Sequence, residues 1–191
     1  MSFGSKIDAV RNLLEPFTNH KVVKLSSLRD YFSEPNEADR VLKERGDVVV
    51  YEYYERIFGE GGGHINFGLT VMYPGKIGRE YFLTRGHFHE KDAAEIYVGL
   101  KGVGYILMQT RDGKVEARVI EPDTVVYVPP GYGHRTINTG TEPLVFFFAY
   151  PSDAGHDYEA VKEKGFAKLV VEENGKPKLI DNPKYLMSPM V

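Results

Sequence analysis

The chain has 191 residues, 42% of them hydrophobic, a formal net charge of −3 and no cysteine. That is enough apolar material for a sizeable core; the mild acidity offers no basic surface for nucleic acid, and the missing thiols exclude disulfides, thiolate metal sites and a cysteine nucleophile. No run approaches the roughly 18 apolar residues of a membrane span, and the opening MSFGSKIDAVRNLL lacks the apolar stretch of an export signal, so a cytoplasmic protein with no nucleic-acid or membrane partner is expected.

Residues 1–45 read as an arm with short helices. In SSLRDYF a serine offers a cap for a helical turn, and NEADRVLKERGD reads as a helix capped by Asn36 and stopped by Gly46. From residue 46 the texture becomes β. DVVVYEYYERI is β-branched and aromatic, and GEGGGH is a turn. INFGLTVMY alternates, with Ile65, Phe67, Leu69, Val71 and Tyr73 on one face and Asn66, Gly68, Thr70 and Met72 on the other. PGKIG is a turn, and REYFLTRGHFH and AEIYVGLKG are strands. VGYILMQTRDGKVEARVIEP reads as a hairpin on a two-residue Asp112-Gly113 turn, and FAKLVVEENGKPKLIDNP as one on Asn174-Gly175. Between them TVVYVPPGYGHRTIN holds two strands across a Pro-Gly turn, and EPLVFFFAYP is a strongly apolar strand. About ten short strands with no long helices predict an all-β antiparallel sandwich or barrel of jelly-roll type. We read residues 1–191 as one domain, with the arm at 1–45, the β-barrel at 46–185 and a loosely held tail at 186–191.

Six histidines punctuate this pattern. On a strand, side chains two apart point the same way, so His87 and His89 share a face and Phe88 points opposite. Glu95 and Tyr97 share a face of the following strand, with Ile96 and Val98 opposite. If the intervening EKDAA returns the chain beside itself, Glu95 faces both histidines. His134, after the turn PPGYG, is the candidate fourth ligand. Three neutral imidazoles and one carboxylate suit one divalent transition ion, Fe(II), Mn(II), Ni(II) or Zn(II), better than a thiolate-preferring ion or an oxygen-seeking magnesium or calcium. His20 and His64 lie in polar or glycine-rich stretches and receive no role.

HFH, five residues, Glu95, six residues and Gly102 resemble the first motif of the cupin superfamily; Pro129, Gly131, His134 and Asn138 resemble the second. One departure is Asp123, which stands where the second motif usually begins with glycine. Through VVYEYY, TVMYPGKIGREYFLTRGHFH, AEIYVGLKGVGYILMQT, TVVYVPPGYGHRT, YPSDAGHDY and EKGFAKLVVEENGKPKLIDNP, the chain further resembles the cupin-type glucose-6-phosphate isomerases of archaea and some bacteria. Their loop between the second histidine and the glutamate is expected to be one residue longer than here.

The resemblance implies a cupin jelly-roll barrel and reversible conversion of glucose 6-phosphate to fructose 6-phosphate. It implies a metal, Fe(II) first among the candidates, on His87, His89, Glu95 and His134, with Glu95 also shuttling a proton in a cis-enediol route; a hydride shift is the competing route. It carries phosphate contact to Thr70, Thr84 and Gly86, with Arg85 and Lys91 as further charges or plain surface groups. Tyr51, Tyr97, Tyr150 and Tyr158 would line the sugar pocket with His156, which would assist ring opening. A homodimer is the implied assembly. The rival readings are a dual phosphoglucose/phosphomannose isomerase, a metal-dependent dioxygenase and a non-enzymatic sugar-binding cupin.

Overall fold

The computed structural model describes residues 3–59, 61–162 and 164–186. In chain order the strands are β1 (Lys6–Asp8), β2 (Leu13–Glu15), β3 (Asn19–Lys24), β4 (Val49–Arg56), β5 (Ile65–Met72), β6 (Lys76–Ile77), β7 (Glu80–Tyr81), β8 (Glu95–Lys101), β9 (Gly104–Gln109), β10 (Val115–Ile120), β11 (Val125–Val128), β12 (Gly133–Asn138), β13 (Leu144–Pro151), β14 (Lys168–Glu173) and β15 (Lys176–Asp181). Helices α1 (Pro35–Arg45), α2 (Glu159–Lys162) and α3 (Pro183–Leu186) are interspersed. No helix of the described residues is long and apolar enough to cross a membrane.

One antiparallel sheet runs β11-β8-β13-β5-β4-β3; a second runs β10-β9-β12, a third β15-β14-β7-β6, and β1 pairs only with β2. The fold is all-β and jelly-roll-like, but its sheets form a sandwich rather than one closed barrel. The chain between β7 and β8 crosses from the third sheet to the second through the isolated bridges Leu83–Ile137 and His87–His134. One apolar core joins the layers: Tyr51, Met72, Tyr97 and Phe146 from the six-stranded sheet meet Leu83, Ile106, Met108 and Ile137. Asn138 stitches the same layers with polar contacts. Its Nδ2 donates to the Met72 carbonyl at 2.8 Å and the Glu142 carbonyl at 3.0 Å.

The arm is more β than expected. β3 extends the six-stranded sheet beside β4. The β1–β2 hairpin has a second task. On β5 the more apolar face, Leu69 and Val71, turns away from the central core and is buried with Leu14 and Val145. The polar face, with Asn66 and Thr70 both buried, turns inward. The hairpin therefore covers a surface that would otherwise expose a hydrophobic patch.

Several local expectations are corrected. Helix α1 begins at Pro35 with Glu34 in the cap position and no side-chain cap, so Asn36 lies inside the helix. Proline's fixed φ and missing N–H suit the first helical position and draw the start forward. The serines of SSLRDYF do not cap a turn. Ser26 bonds Asp47 through its N–H and hydroxyl at 2.9 and 2.8 Å, and Ser27 Oγ donates to the Lys24 carbonyl at 2.8 Å. The β9–β10 connection is longer than a two-residue turn. Gly113 N–H donates to the Thr110 carbonyl, and only Gly113 of the expected pair has a positive φ, of 84°. That is a turn closed by a glycine bulge. Asn174 and Gly175, with φ of 53° and 75°, do form the expected tight hairpin turn. Of the tail, Leu186 ends α3 and residues 187–191 lie outside the described residues.

Candidate metal centre and sugar-sized cavity

REYFLTRGHFH is not one regular strand. Between the Leu83–Ile137 and His87–His134 bridges, one side of the ladder carries one residue more than the other. The extra residue is absorbed at Arg85-Gly86, where Gly86 has a φ of 75°. This is a β-bulge. Thr84 N–H donates to the Thr136 carbonyl at 2.9 Å, and Thr136 N–H donates to Thr84 Oγ1 at 2.9 Å. The Thr84 oxygen thus stands in for a backbone carbonyl, and its own proton is free to donate. Strict alternation would set Thr84 and His87 on opposite faces; the bulge brings both to one cavity.

Beyond the bulge, His87 and His134 face each other across the ladder, exchanging backbone hydrogen bonds at 3.1 and 2.9 Å. The loop after His89 folds back so that its Nδ1 lies 2.8 Å from the Ala93 carbonyl. A carbonyl only accepts, so Nδ1 carries a proton and Nε2 is the nitrogen turned toward the cluster. His134 Nδ1 stands 3.3 Å from the Tyr132 carbonyl and is oriented in the same sense. Glu95, first residue of β8, points inward as expected, with Ile96 outward. Its Oε2 lies 3.0 Å from His134 Nε2 and 3.2 Å from His89 Nε2. Ligand atoms of His87, His89, Glu95 and His134 all lie within 4.8 Å of one another.

Two observations test whether this cluster fits a metal. The Nε2 atoms of His87 and His89 are buried without a hydrogen-bond partner, which native interiors seldom tolerate. Burial, with His134 next to it, also holds the His87 imidazole well below its usual range, in the neutral, ligating form. Burial works to raise the Glu95 carboxyl, but contacts from His134 and His89 overcome it and hold it ionised, below the usual carboxylate range. Imidazoles fixed by carbonyls at Nδ1 and a carboxylate between them suit one divalent transition ion.

Asp123, at the position where glycine is usual, takes the backbone that glycine would, with a φ of 67°. Aspartate is among the few residues that tolerate this, so the turn survives the departure.

A cavity of ≈ 360 Å³ opens beside the cluster. It is lined by Tyr51, Thr70, Thr84, Gly86, Tyr97, Tyr150, His156 and Tyr158, together with His87 and Glu95. The His156 ring lies 4.5 Å from that of His87 and stacks on Tyr158 at 5.8 Å. Arg85 also lines the cavity. Its guanidinium carbon lies 5.6 Å from the rings of both Tyr31 and Tyr158, and its carbonyl accepts from buried Arg135 at 2.8 Å. Lys91 is instead an exposed partner of Asp153 at 2.9 Å. Tyr53, Glu55, Thr136, Phe146 and Phe148 complete the lining and were not singled out from sequence. Parity could have found them: Tyr53 and Glu55 follow Tyr51 on β4, Thr136 follows His134 on β12, and Phe146 and Phe148 precede Tyr150 on β13. His20, 2.8 Å from Glu52, has no part in this lining.

Residues 23–186 match a family model described as glucose-6-phosphate isomerase (GPI). The chain is 50% identical over 184 residues to the glucose-6-phosphate isomerase of Thermococcus gammatolerans, covering 96% of each chain. It is 52% identical over 183 residues to that of Thermococcus kodakarensis, covering 95% of each. The chain belongs to the glucose-6-phosphate isomerase family. The glucose-6-phosphate isomerase of Pyrococcus furiosus is 49% identical over 184 residues, with 96% of each chain covered. Among solved structures, an oxalate oxidase in complex with the substrate analogue glycolate superposes on 53% of this chain and 49% of its own, with a TM-score of 0.44 and 17% identity. The segment matching the isomerase family begins inside β3. It contains every cluster and cavity residue named above, whereas β1, β2 and Asn19 precede it.

Proposed function

We propose that this chain interconverts glucose 6-phosphate and fructose 6-phosphate, with one divalent transition ion, Fe(II) by preference, on His87, His89, Glu95 and His134. The observation that carries the proposal is the convergence of four ligand atoms within 4.8 Å at the wall of a cavity that also offers phosphate donors. The metal, when bound, supplies a Lewis acid that polarises neighbouring sugar oxygens. The chain supplies the rest. The Thr84 hydroxyl, the Gly86 N–H and the Thr70 hydroxyl bind the phosphoryl oxygens, with Tyr51 beside them. Tyr97, Tyr150 and Tyr158 orient the sugar hydroxyls. His156, whose pKa burial lowers, is neutral at physiological pH; it takes the anomeric proton and returns one to the ring oxygen as the ring opens. Glu95 carries the proton between C2 and C1 through an enediol, while the hydroxyl proton passes between O2 and O1; a hydride shift from C2 to C1 is the competing route. A phosphorylated sugar does not cross a bilayer unaided, so the same reading places the protein in the cytoplasm. It also carries a homodimer.

The test is a coupled assay of fructose 6-phosphate conversion on chelator-treated protein, with and without added Fe(II), Mn(II), Ni(II) or Zn(II). Activity should vanish with the chelator and return with metal. Absence of turnover in protein that demonstrably binds metal would remove the isomerase reading and leave the metal centre standing.

A further inference from the structure

Glu55 is the one cavity-lining carboxylate, among the described residues, that the chemistry above does not use. It follows Tyr51 and Tyr53 on the inward face of β4 and is buried, 8% exposed. It accepts hydrogen bonds from the Tyr150 hydroxyl and, at 3.1 Å, from Asn19 Nδ2. Among the described residues no lysine, arginine or histidine forms an ion pair with it. Tyr150 has a single proton, and that proton points at Glu55. Toward the cavity, the phenol oxygen and the carboxylate therefore offer only lone pairs. This corner welcomes hydroxyl donors and repels anions. The bulge around Thr84, Arg85 and Gly86 is its chemical opposite, a set of donors and one cation.

We infer that Glu55 determines specificity, giving the cavity an acceptor-only corner that binds sugar hydroxyls and excludes a second phosphoryl group. The inference rests on the isomerase reading. A hexose monophosphate places its one anionic group at the bulge and presents neutral hydroxyls to Glu55 and Tyr150. A hexose bisphosphate confined in the same ≈ 360 Å³ has to bring its second phosphoryl group toward a carboxylate that, among the described residues, no cationic side chain pairs with. Discrimination then comes from repulsion built against the wrong ligand.

The experiment uses the full-length, metal-loaded protein and its Glu55→Gln variant. Steady-state kinetics give kcat and KM for fructose 6-phosphate, and calorimetry gives the Kd of fructose 1,6-bisphosphate. Glu55→Gln should raise KM for fructose 6-phosphate by about two- to fivefold, because a hydroxyl acceptor is weakened, while bisphosphate binds at least about tenfold tighter. Glu55→Asp, which keeps the charge, should keep the exclusion. If Glu55→Gln does not fold, Glu55→Ala carries the same expectation. A purely structural role would weaken both ligands together, so an unchanged ratio of the two affinities overturns the inference. Wild-type turnover is read alongside. Turnover with an unchanged ratio removes only the role of Glu55; no turnover in the wild type removes the isomerase reading and this inference with it.

Discussion

Gly86 shows how much one backbone position decides. At a φ of 75°, an added Cβ would stand 3.0 Å from the Arg135 Cβ, the His134 carbonyl oxygen and the Phe166 ring. None of these is the loose end of a flexible side chain. The buried Arg135 guanidinium, pushed down to about 10 by burial, braces the same spot through the Arg85 carbonyl. Gly86→Ala should therefore cost about 1–2 kcal/mol of stability. It should also raise KM for fructose 6-phosphate more than it lowers kcat, because the N–H offered to phosphate moves while the ligands remain. Denaturant melts and steady-state kinetics read the two effects separately. Glu95 tells a related story. Its inward aim was legible in the alternation of Glu95, Ile96 and Tyr97, and the loop length before it did not spoil the 3.0 Å approach to His134.

At the scale of elements, β4 serves two environments. Tyr51, Tyr53 and Glu55 face the cavity, while Glu52 lies on the other face, beside β3 and β5. Glu52 is bonded by the hydroxyls of Tyr73 and Tyr54 at 2.7 and 3.1 Å and by His20 Nε2 at 2.8 Å. Burial pushes its carboxyl up, and these hydrogen bonds outweigh burial and leave it below the ordinary 4.5. A carboxyl depressed by folding contributes stability above its unfolded value, and that stability is lost as pH falls through the folded value. Glu52→Gln should lower stability at pH 7 by about 1 kcal/mol. Thermal melts from pH 7 to acid should show a smaller drop for the variant than for the wild type, and equal drops would refute the assignment. Element boundaries were the least legible feature of the sequence. Pro35 moved the start of α1, and the strands of the arm were hidden because pairing partners far along the chain create them.

For the whole molecule, the outward face of the β8–β11 edge is the conspicuous surface. Val125, Tyr127 and Ile96 are 67%, 56% and 42% exposed, with Leu100 next to them. They pair in register, Val125 opposite Val98 and Tyr127 opposite Ile96. The same strand β8 carries Glu95 and Tyr97 on its inward face, so a partner covering this edge would brace the metal wall from behind. The homodimer is expected there. Light scattering should give about twice the 21.6 kDa chain mass, and Tyr127→Glu should halve it. A monomeric wild type would remove the dimer.

The shared face of His87 and His89 and the inward aim of Glu95 follow from the sequence alone, because they depend on strand parity, a local property; the place of His134 beside them and most of the cavity lining were legible only through the resemblance to the isomerase family. The antiparallel all-β character is also local, following from strands too closely spaced for long helices. Only the tertiary structure decided which face of each strand is inside. The apolar face of β5 points outward because the β1–β2 hairpin is there to bury it. Thr84 meets His87 because one extra residue opposite β12 shifts the parity. Glu55 enters the cavity beside Tyr150 because β4 lies next to β5 and β5 next to β13. In each case the deciding contact joins residues far apart in the chain, and no pattern read within one segment contains it.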